Sequence, residues 1–224
     1  MELSKLRKIQ DRINRDLPYF TEDWVTEAID ATLWTSTDPV TNPSVIAVAD
    51  QRIRFRMWLV ANEAGRLVSV HRYRVTPNQY DDNSLIPRKF ILEFEMKLTD
   101  VTNMDNTTCF WGLTEATTDT AAANDIAGFM LAADVLQTIT DDGGVQAVTT
   151  TFGETLTNWN KFKIVVEPLQ IVFYLNDAVI ATHSTAASTP DDVMFINFFM
   201  DTEAGVGPTY CDLGWIRAWH EEQL

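Results

Sequence analysis

The amino-acid sequence predicts an all-β protein, an antiparallel two-sheet β-sandwich of the jelly-roll type with a short N-terminal α-helical arm. Apolar residues recur at every second position over most of the chain, which is typical of strands, and turn residues separate these runs. The clearest example is WNKFKIVVEPLQIVFYLNDAVIAT (Trp159–Thr182), where Asn176-Asp177 suits the positive φ of a tight hairpin. Only the first residues of the chain depart from this rhythm.

Thirteen short runs carry the strand pattern, and no helical pattern separates them, which favours two packed sheets. Turns rich in Gly, Pro, Asn and Asp lie between them. The predicted strands are Ser44–Ala49, Arg52–Val60, Arg66–Val75, Phe90–Lys97, Thr108–Thr114, Ile126–Ala132, Gln137–Thr140, Val145–Thr151, Trp159–Val166, Gln170–Leu175, Ala178–His183, Val193–Asp201 and Tyr210–Trp219.

The N-terminal segment has a helical pattern instead. Leu3, Leu6, Ile9 and Ile13 share one face, and Pro18 ends the helix. A second helix is expected from Thr21, as N-cap, to about Ala31. The predicted division is therefore an arm, residues 1–32, and a sandwich, residues 33–224. The arm either packs on its own sandwich or reaches a neighbouring subunit, because so short a helix is marginal alone.

Charge is unevenly distributed along the 224 residues, which carry a net charge of −15. Residues 1–97 contain 14 basic and 14 acidic side chains, whereas residues 98–224 contain 3 and 18. Nucleic acid is not expected as a partner, since phosphate binding needs clustered cations. No run reaches the ~20 apolar residues of a membrane span, and no secretory signal is recognised, so the expected location is a virion or the cytoplasm of the producing host.

Three segments resemble the concanavalin A-like lectin and glucanase jelly roll, which includes laminin-G-like and laminarinase-like domains. They are RKFILEFEMKL (Arg88–Leu98), NWNKFKIVVEPLQIVFYLNDAVIATH (Asn158–His183) and YCDLGWIRAWHEEQL (Tyr210–Leu224). The resemblance spans roughly residues 33–220 and rests on hydrophobic pattern. It implies the sandwich fold and, for some members of the superfamily, glycan binding or hydrolysis.

The retaining glucanases of this superfamily carry the strand pattern E-x-D-x-(x)-E, because the reaction needs two carboxylates about 5.5 Å apart. This chain offers Glu93 and Glu95, two positions apart and therefore on one strand face, but no third acid follows in register. The expectation is that they are ordinary surface acids and that the chain is not an enzyme, with a glycoside hydrolase as the enzyme class considered.

Two other kinds of site are weighed. Asp100, Asn103 and Asp105 offer the oxygen ligands that Ca²⁺ prefers, although plain turn chemistry explains them equally; no other cofactor is expected. The two cysteines, Cys109 and Cys211, are expected as buried free thiols, and a disulfide would require adjacent strands.

Arginines alternate along two predicted strands, Arg52, Arg54 and Arg56 on the first and Arg72 and Arg74 on the second. Like charges at alternate positions repel, so a counter-charge is needed. Acidic residues of the same domain would supply it, or an acidic surface of a second copy would, and the second possibility suggests a homo-oligomer or a larger assembly. Leu3, Leu6, Ile9 and Ile13 are the other predicted interaction residues.

The preferred function is a non-catalytic virion component, a capsid decoration or fibre-associated protein docked through its N-terminal arm. The alternative is a carbohydrate-binding or receptor-binding module, and the second alternative is a glucanase-like hydrolase. Sugar sites need exposed aromatic platforms beside polar groups. The candidates are Tyr80, Asp81, Asp82, Asn83 and Trp111, with Trp34 and Trp159 as further platforms.

Overall fold

The computed structural model shows an all-β sandwich. It describes residues 20–22, 28–37, 45–48, 50–57, 63–75, 88–98, 107–116, 125–132, 135–143, 147–150, 155–167, 169–184, 193–202 and 209–222. Their strands are β1 (Phe20–Glu22), β2 (Trp34–Thr37), β3 (Val45–Val48), β4 (Ile53–Met57), β5 (Glu63–Arg74), β6 (Arg88–Leu98), β7 (Thr107–Thr114), β8 (Asp125–Ala132), β9 (Val135–Asp142), β10 (Ala147–Thr150), β11 (Asn160–Glu167), β12 (Gln170–Leu175), β13 (Ala178–His183), β14 (Val193–Thr202) and β15 (Thr209–Glu222).

The strands form two antiparallel sheets. Sheet A has the order β13-β12-β11-β6-β15-β4-β3, and β1 pairs with the second half of β15 beside β4. Sheet B has the order β10-β9-β8-β7-β14-β5-β2. The inner faces of the two sheets pack together, as the alternation in the sequence predicts. The two-sheet sandwich is therefore confirmed.

Aromatic rings fill the centre of the sandwich. Phe94 of sheet A stacks on Phe162 with ring centroids 5.3 Å apart, and it meets Phe198 of sheet B edge-on at 5.1 Å. Phe129 of sheet B contacts Phe162 at 4.9 Å. Offset and edge-to-face contacts of this kind add to the free energy gained by burying the rings. The many aromatic residues thus serve mainly as core.

The predicted helix from Thr21 to about Ala31 is wrong, because the described residues at both ends of this segment are not helical. Phe20–Glu22 pairs with Ile216–Ala218 of β15, so strand pairing overrides a local capping signal that stabilises by only about 1 kcal/mol. Asp30 closes a single turn in which its carbonyl accepts from the amides of Leu33 and Trp34. Hydrogen bonds from Thr32 lower the pKa of the Asp30 carboxyl. Residues 1–19, including the predicted helical arm with Leu3, Leu6, Ile9 and Ile13, lie outside the described residues.

A buried histidine joins the two sheets at one edge of the sandwich. His183, the last residue of edge strand β13, is 5% exposed. Its Nδ1 lies 2.8 Å from the Thr140 hydroxyl, and its Nε2 lies 3.1 Å from the hydroxyls of Thr138 and Thr149, which belong to β9 and β10. Burial lowers the pKa of His183 below its ordinary value of 6.5.

This burial predicts a pH-dependent stability. Above pH 6.5 His183 is neutral in both the folded and the unfolded chain, so it adds no pH dependence. Below pH 6.5 the unfolded chain takes up the proton first, and the free energy of unfolding falls. Urea unfolding at pH 6.5 and 5.5 should show a loss from His183 of at most about 1 kcal/mol. His183→Gln should show a smaller loss over the same interval, and equal losses would contradict the assignment.

The two cysteines are free and lie in opposite sheets. Cys109 on β7 and Cys211 on β15 are both buried in the core between the sheets. Burial raises the pKa of both thiols far above the ordinary cysteine value, which makes them poor nucleophiles.

Within the described segments, no helix is long and apolar enough to span a bilayer.

Candidate functional site

The two predicted acids share the outer face of sheet A. Along β6, Phe94 and Met96 point into the core, whereas Glu93 and Glu95 lie on the opposite side. Glu93 is only 9% exposed, and its carboxylate lies 3.3 Å from the ammonium of Lys161. That ammonium also lies 2.7 Å from Asp177. These two interactions raise the pKa of Lys161, with the bond to Asp177 as the larger cause.

Glu93 pairs with the Lys161 ammonium, whereas Glu95 lines a pocket. The pocket is open to solvent and has a volume of about 350 Å³. It lies across β6, β15 and the β3–β4 turn, and it is lined by Asp50, Gln51, Arg52, Glu95, Trp159, Gly214 and Trp215. The lining combines two indoles with more numerous polar and charged groups, so the pocket suits a polar ligand that remains partly exposed to solvent. Glu95 is therefore the acid of the predicted pair that a ligand can reach.

The β3–β4 turn supplies one wall. Asp50 and Gln51 have φ values of 53° and 59°, which match the two central residues of a type I′ turn. Glycine is strongly preferred at the second of these positions, so Gln51 holds a strained backbone. Strain of this kind is retained where the surroundings enforce it and often where a side chain serves a function.

A β-bulge supplies the floor. The register of β15 against β6 shifts between Leu213 and Trp215, which leaves Gly214 without a pairing partner. A Cβ at Gly214 would lie 3.1 Å from Glu95 Oε2 and 3.3 Å from Trp159 Cζ3. Gly214 is not among the residues with positive φ, so its backbone does not require glycine. The missing side chain instead leaves a gap between a carboxylate and an indole.

Two tryptophans form the apolar walls of the pocket. Trp159 is 38% exposed, and the Lys97 ammonium lies 5.0 Å from its ring centroid. The guanidinium of Arg217 lies 4.7 Å from the ring centroid of Trp215. A cation near each ring favours a fixed ring position through the attraction of the aromatic quadrupole. The pocket thus combines two oriented indoles with polar groups.

The arginines of β4 find their counter-charge within the chain. Asp212 of β15 is fully buried and accepts bonds of 2.6 and 2.9 Å from Arg54, which raise the pKa of the Arg54 guanidinium. Arg52 lies 3.5 Å from Asp212 and 3.0 Å from Asp50. Arg54 and Arg56 also lie over the ring of Tyr210. A second copy is therefore not needed to neutralise Arg52 and Arg54, and self-association stays a prediction.

The five predicted arginines do not form one patch. Arg52, Arg54 and Arg56 flank β4 residues that face the core, so they share the outer face of sheet A as predicted. Arg72 and Arg74 belong to β5 of sheet B, and Arg72 lies over the ring of Phe195. Whether any of the five arginines contacts a partner stays a prediction.

The prediction that Trp111 is an exposed aromatic platform for a sugar is wrong. Its side chain is 2% exposed, in the core between the sheets, where it contacts Phe162. Trp34 is equally buried. The side chains that neighbour Trp111 on β7 are also buried on both faces, so the two-residue period alone did not reveal which face is outward.

Other predicted site residues lie outside the described part of the chain. These are Tyr80, Asp81, Asp82 and Asn83 of the glycan loop and Asp100, Asn103 and Asp105 of the calcium site. Among the described residues, no group of three or more His, Cys, Asp or Glu side chains could hold a metal ion.

Among the described residues, the centre of the outer face of sheet B is occupied by apolar side chains. Phe110, Ile126, Ile139 and Phe199 form an apolar cluster there, and each is at most 3% exposed. On β8 the outward positions hold Ile126, Gly128 and Met130, none of them acidic. Of the two faces, sheet A therefore carries the better candidate site among the described residues.

Solved structures share this architecture at low sequence identity. A β-glucanase of Bacillus licheniformis has a TM-score of 0.65 and 15% identity over 91% of this chain and 99% of its own. The catalytic domain of an endo-1,3-β-glucanase, a laminarinase of Thermotoga petrophila, has a TM-score of 0.65 and 8% identity over 93% and 98%. This is the fold of the family 16 glucanases. The glucanase fold is thus the concanavalin A-like jelly roll that the resemblance implied.

The glucanase fold also occurs in a protein named as a pseudo β-1,3-glucanase. This immunostimulatory antigen of Mycobacterium tuberculosis has a TM-score of 0.62 and 12% identity over 91% of this chain and 99% of its own. No protein-family model matches the chain, and no curated protein matches it. At these identities the likeness establishes the fold.

Two functional expectations from the sequence are overturned by these neighbours. The preferred interpretation as a virion decoration or fibre-associated component is wrong, because the neighbours are named as glucanases and carry no virion context. The expectation that the chain is not an enzyme is contradicted by the same finding. Both alternatives that invoked glycans gain support.

Proposed function

We propose that this chain binds a glycan in the pocket between Glu95, Trp159 and Trp215. The observation that carries the proposal is the open pocket beside Gly214, which the Glu95 carboxylate lines together with the indoles of Trp159 and Trp215. A pyranose ring presents an apolar face of C–H groups and an edge of hydroxyls. The indole suits the face, and the carboxylate accepts from the hydroxyls.

The likeness to glucanases supports a neutral β-glucan as the first ligand to test, since the neighbours are named for β-1,3- and β-1,3(4)-glucans. The charges of the pocket agree with a neutral ligand. Arg52 is paired with Asp50 and Asp212, and the ammonium of Lys97 lies beside Trp159 opposite the negative charge of Glu95. The pocket therefore carries no large excess of either sign.

Adding a side chain at Gly214 should weaken glycan binding without unfolding the protein. Gly214→Ala places a methyl group against the movable ends of Glu95 and Trp159, and we expect at least a tenfold weaker affinity for laminarin or mixed-linkage β-glucan, or about 1.4 kcal/mol. Isothermal titration calorimetry measures the affinity, and thermal unfolding checks that the fold is intact. Trp159→Ala should weaken binding similarly.

The matched control is Leu169→Ala. Leu169 is 74% exposed in the β11–β12 turn and does not line the pocket. Its substitution should leave the affinity unchanged. Wild-type protein that binds none of these glucans, or Gly214→Ala protein that binds as well as wild type, would refute this site.

Hydrolysis is the second candidate function, because two carboxylates, Asp50 and Glu95, line the same pocket. In glycoside hydrolysis one carboxyl protonates the leaving oxygen as the glycosidic bond breaks. The other either attacks the anomeric carbon or activates the water that adds there. Asp50 is held by Arg52 at 3.0 Å, whereas Glu95 has no ion pair among the described residues, so we assign the role of the acid to Glu95.

A reducing-sugar assay tests this candidate separately from binding. If the wild type cleaves a β-glucan, Glu95→Gln should lower kcat by about 100-fold or more while the affinity changes little. Binding without cleavage would exclude hydrolysis of that glucan and leave the binding proposal intact. Cleavage that survives Glu95→Gln would exclude Glu95 as the catalytic acid.

A further inference from the structure

The wall residue Trp159 sits on a short loop, residues 155–159, that precedes β11. Backbone hydrogen bonds fix the beginning of this loop. The amide of Leu98 donates to the carbonyl of Leu156 at 2.8 Å, and the amide of Asn158 donates to the carbonyl of Thr155 at 3.1 Å. Trp159 follows Asn158 directly, so its indole depends on whatever holds the end of the loop.

Asn160 holds that end. Its side chain is buried, with the residue 3% exposed, and its Nδ2 donates to two loop carbonyls, Thr155 at 3.1 Å and Asn158 at 2.8 Å. Its Oδ1 accepts from the Nδ2 of Asn176 at 2.8 Å. Both Nδ2 hydrogens and the oxygen are therefore used, and two of these three bonds bracket the backbone of Trp159.

Asn176 connects this loop to the β12–β13 hairpin. Its backbone is left-handed, with φ of 50°, and its amide donates to the carbonyl of Lys161 at 2.8 Å. Its side-chain Oδ1 accepts from the amide of Lys161 at 3.0 Å, while its Nδ2 reaches Asn160. Asn176 is thus more than a turn residue, because its carboxamide ties the hairpin to the Trp159 loop.

We propose that Asn160 is a positioning residue for the Trp159 wall of the glycan pocket, and that Asn176 acts through Asn160. The inference rests on the proposed glycan site, but the position of the indole can be measured without any glycan. A buried amide with all its hydrogen bonds satisfied gives one geometry, whereas a loop held by its backbone alone samples several.

Asn160→Asp is the sharpest variant. The carboxylate has the same shape and still accepts from Asn176, but it cannot donate to Thr155 and Asn158. Asn176→Gly is the second variant, because glycine keeps the positive φ of the turn and removes the carboxamide alone. Asp177→Gly is the matched control in the same turn, since it leaves both carboxamides in place.

The position of the Trp159 indole is measured by the ¹⁹F NMR spectrum of protein labelled with 5-fluorotryptophan. The chain has seven tryptophans, and Trp159→Phe assigns the resonance of Trp159. We expect Asn160→Asp and Asn176→Gly to shift or broaden this resonance and leave the resonances of the core residues Trp34 and Trp111 in place. Asp177→Gly should leave all seven unchanged. An unchanged Trp159 resonance in both Asn variants would overturn the inference.

Affinity supplies the second readout. For a β-glucan that the wild type binds, both Asn variants should weaken binding about five- to tenfold, in line with the loss of one or two hydrogen bonds that hold the wall. Altered Trp159 resonances with unchanged affinity would overturn the positioning role. Altered resonances in a protein that binds no glucan would instead refute the proposed function, so the two failures are distinguishable.

Discussion

Replacing Asp212 by alanine should destabilise the protein by about 3 kcal/mol. Asp212 is fully buried and binds Arg54 through both carboxylate oxygens. Its removal leaves the half-buried Arg54 guanidinium on the outer face of sheet A without its carboxylate, and losing one member of a largely buried pair costs more than the pair contributes. Urea unfolding measures the effect as a lower midpoint at constant m-value.

Two controls separate this effect from an ordinary surface ion pair. Glu221→Ala removes the partner of Lys89 at 3.0 Å, but this glutamate side chain is 48% exposed, so the loss should stay below about 1 kcal/mol. Combining Asp212→Leu with Arg54→Met should recover much of the stability, because no charge is then left unpaired. Equal losses for Asp212→Ala and Glu221→Ala would contradict the argument.

Gly112→Ala should destabilise the protein by a similar amount, about 3 kcal/mol. Gly112 of β7 pairs with Gly128 of β8, and a Cβ at Gly112 would lie 2.4 Å from the carbonyl oxygen of Ala127 and 2.6 Å from the Cα of Gly128. Both are backbone atoms of a paired strand, so they cannot move aside without breaking the sheet. Thermal unfolding should show the loss directly.

Gly214→Ala provides the comparison within the same chain. A Cβ at Gly214 meets the ends of two side chains at 3.1 and 3.3 Å, and these can turn away. We expect a stability change within about 1 kcal/mol and a large loss of glycan affinity. If Gly112→Ala were as stable as Gly214→Ala, the close packing between β7 and β8 would be disproved.

The alternating pattern predicted most of the sandwich because burial of one strand face leaves a direct mark on the sequence. The predicted Gln170–Leu175 and Ala178–His183 are the observed bounds of β12 and β13, and Glu93 and Glu95 share a face as expected. Phe20–Glu22 and Trp34–Thr37 were missed as strands. Both are three or four residues long, too short to show a period, and β1 depends on a partner almost 200 positions later.

The candidate pocket could be predicted only in part. Trp159 was recognised as an aromatic candidate and Glu95 as an acid, but nothing local joined them. Their meeting depends on the bulge at Gly214 and on the strained turn at Asp50 and Gln51, which come from different parts of the chain. A bulge follows from the register of two strands, and no period of a single strand encodes that register.

The position of β15 has a consequence for synthesis on the ribosome. This last described strand lies in the middle of sheet A, between β6 and β4, and it also pairs with β1. Until Thr209–Glu222 has emerged, β6 has a partner only in β11, and the β3–β4 hairpin has no place in the sheet. Between the synthesis of β6 and that of β15, a nascent chain therefore presents an open, apolar strand edge, and chaperone protection at that stage would limit aggregation.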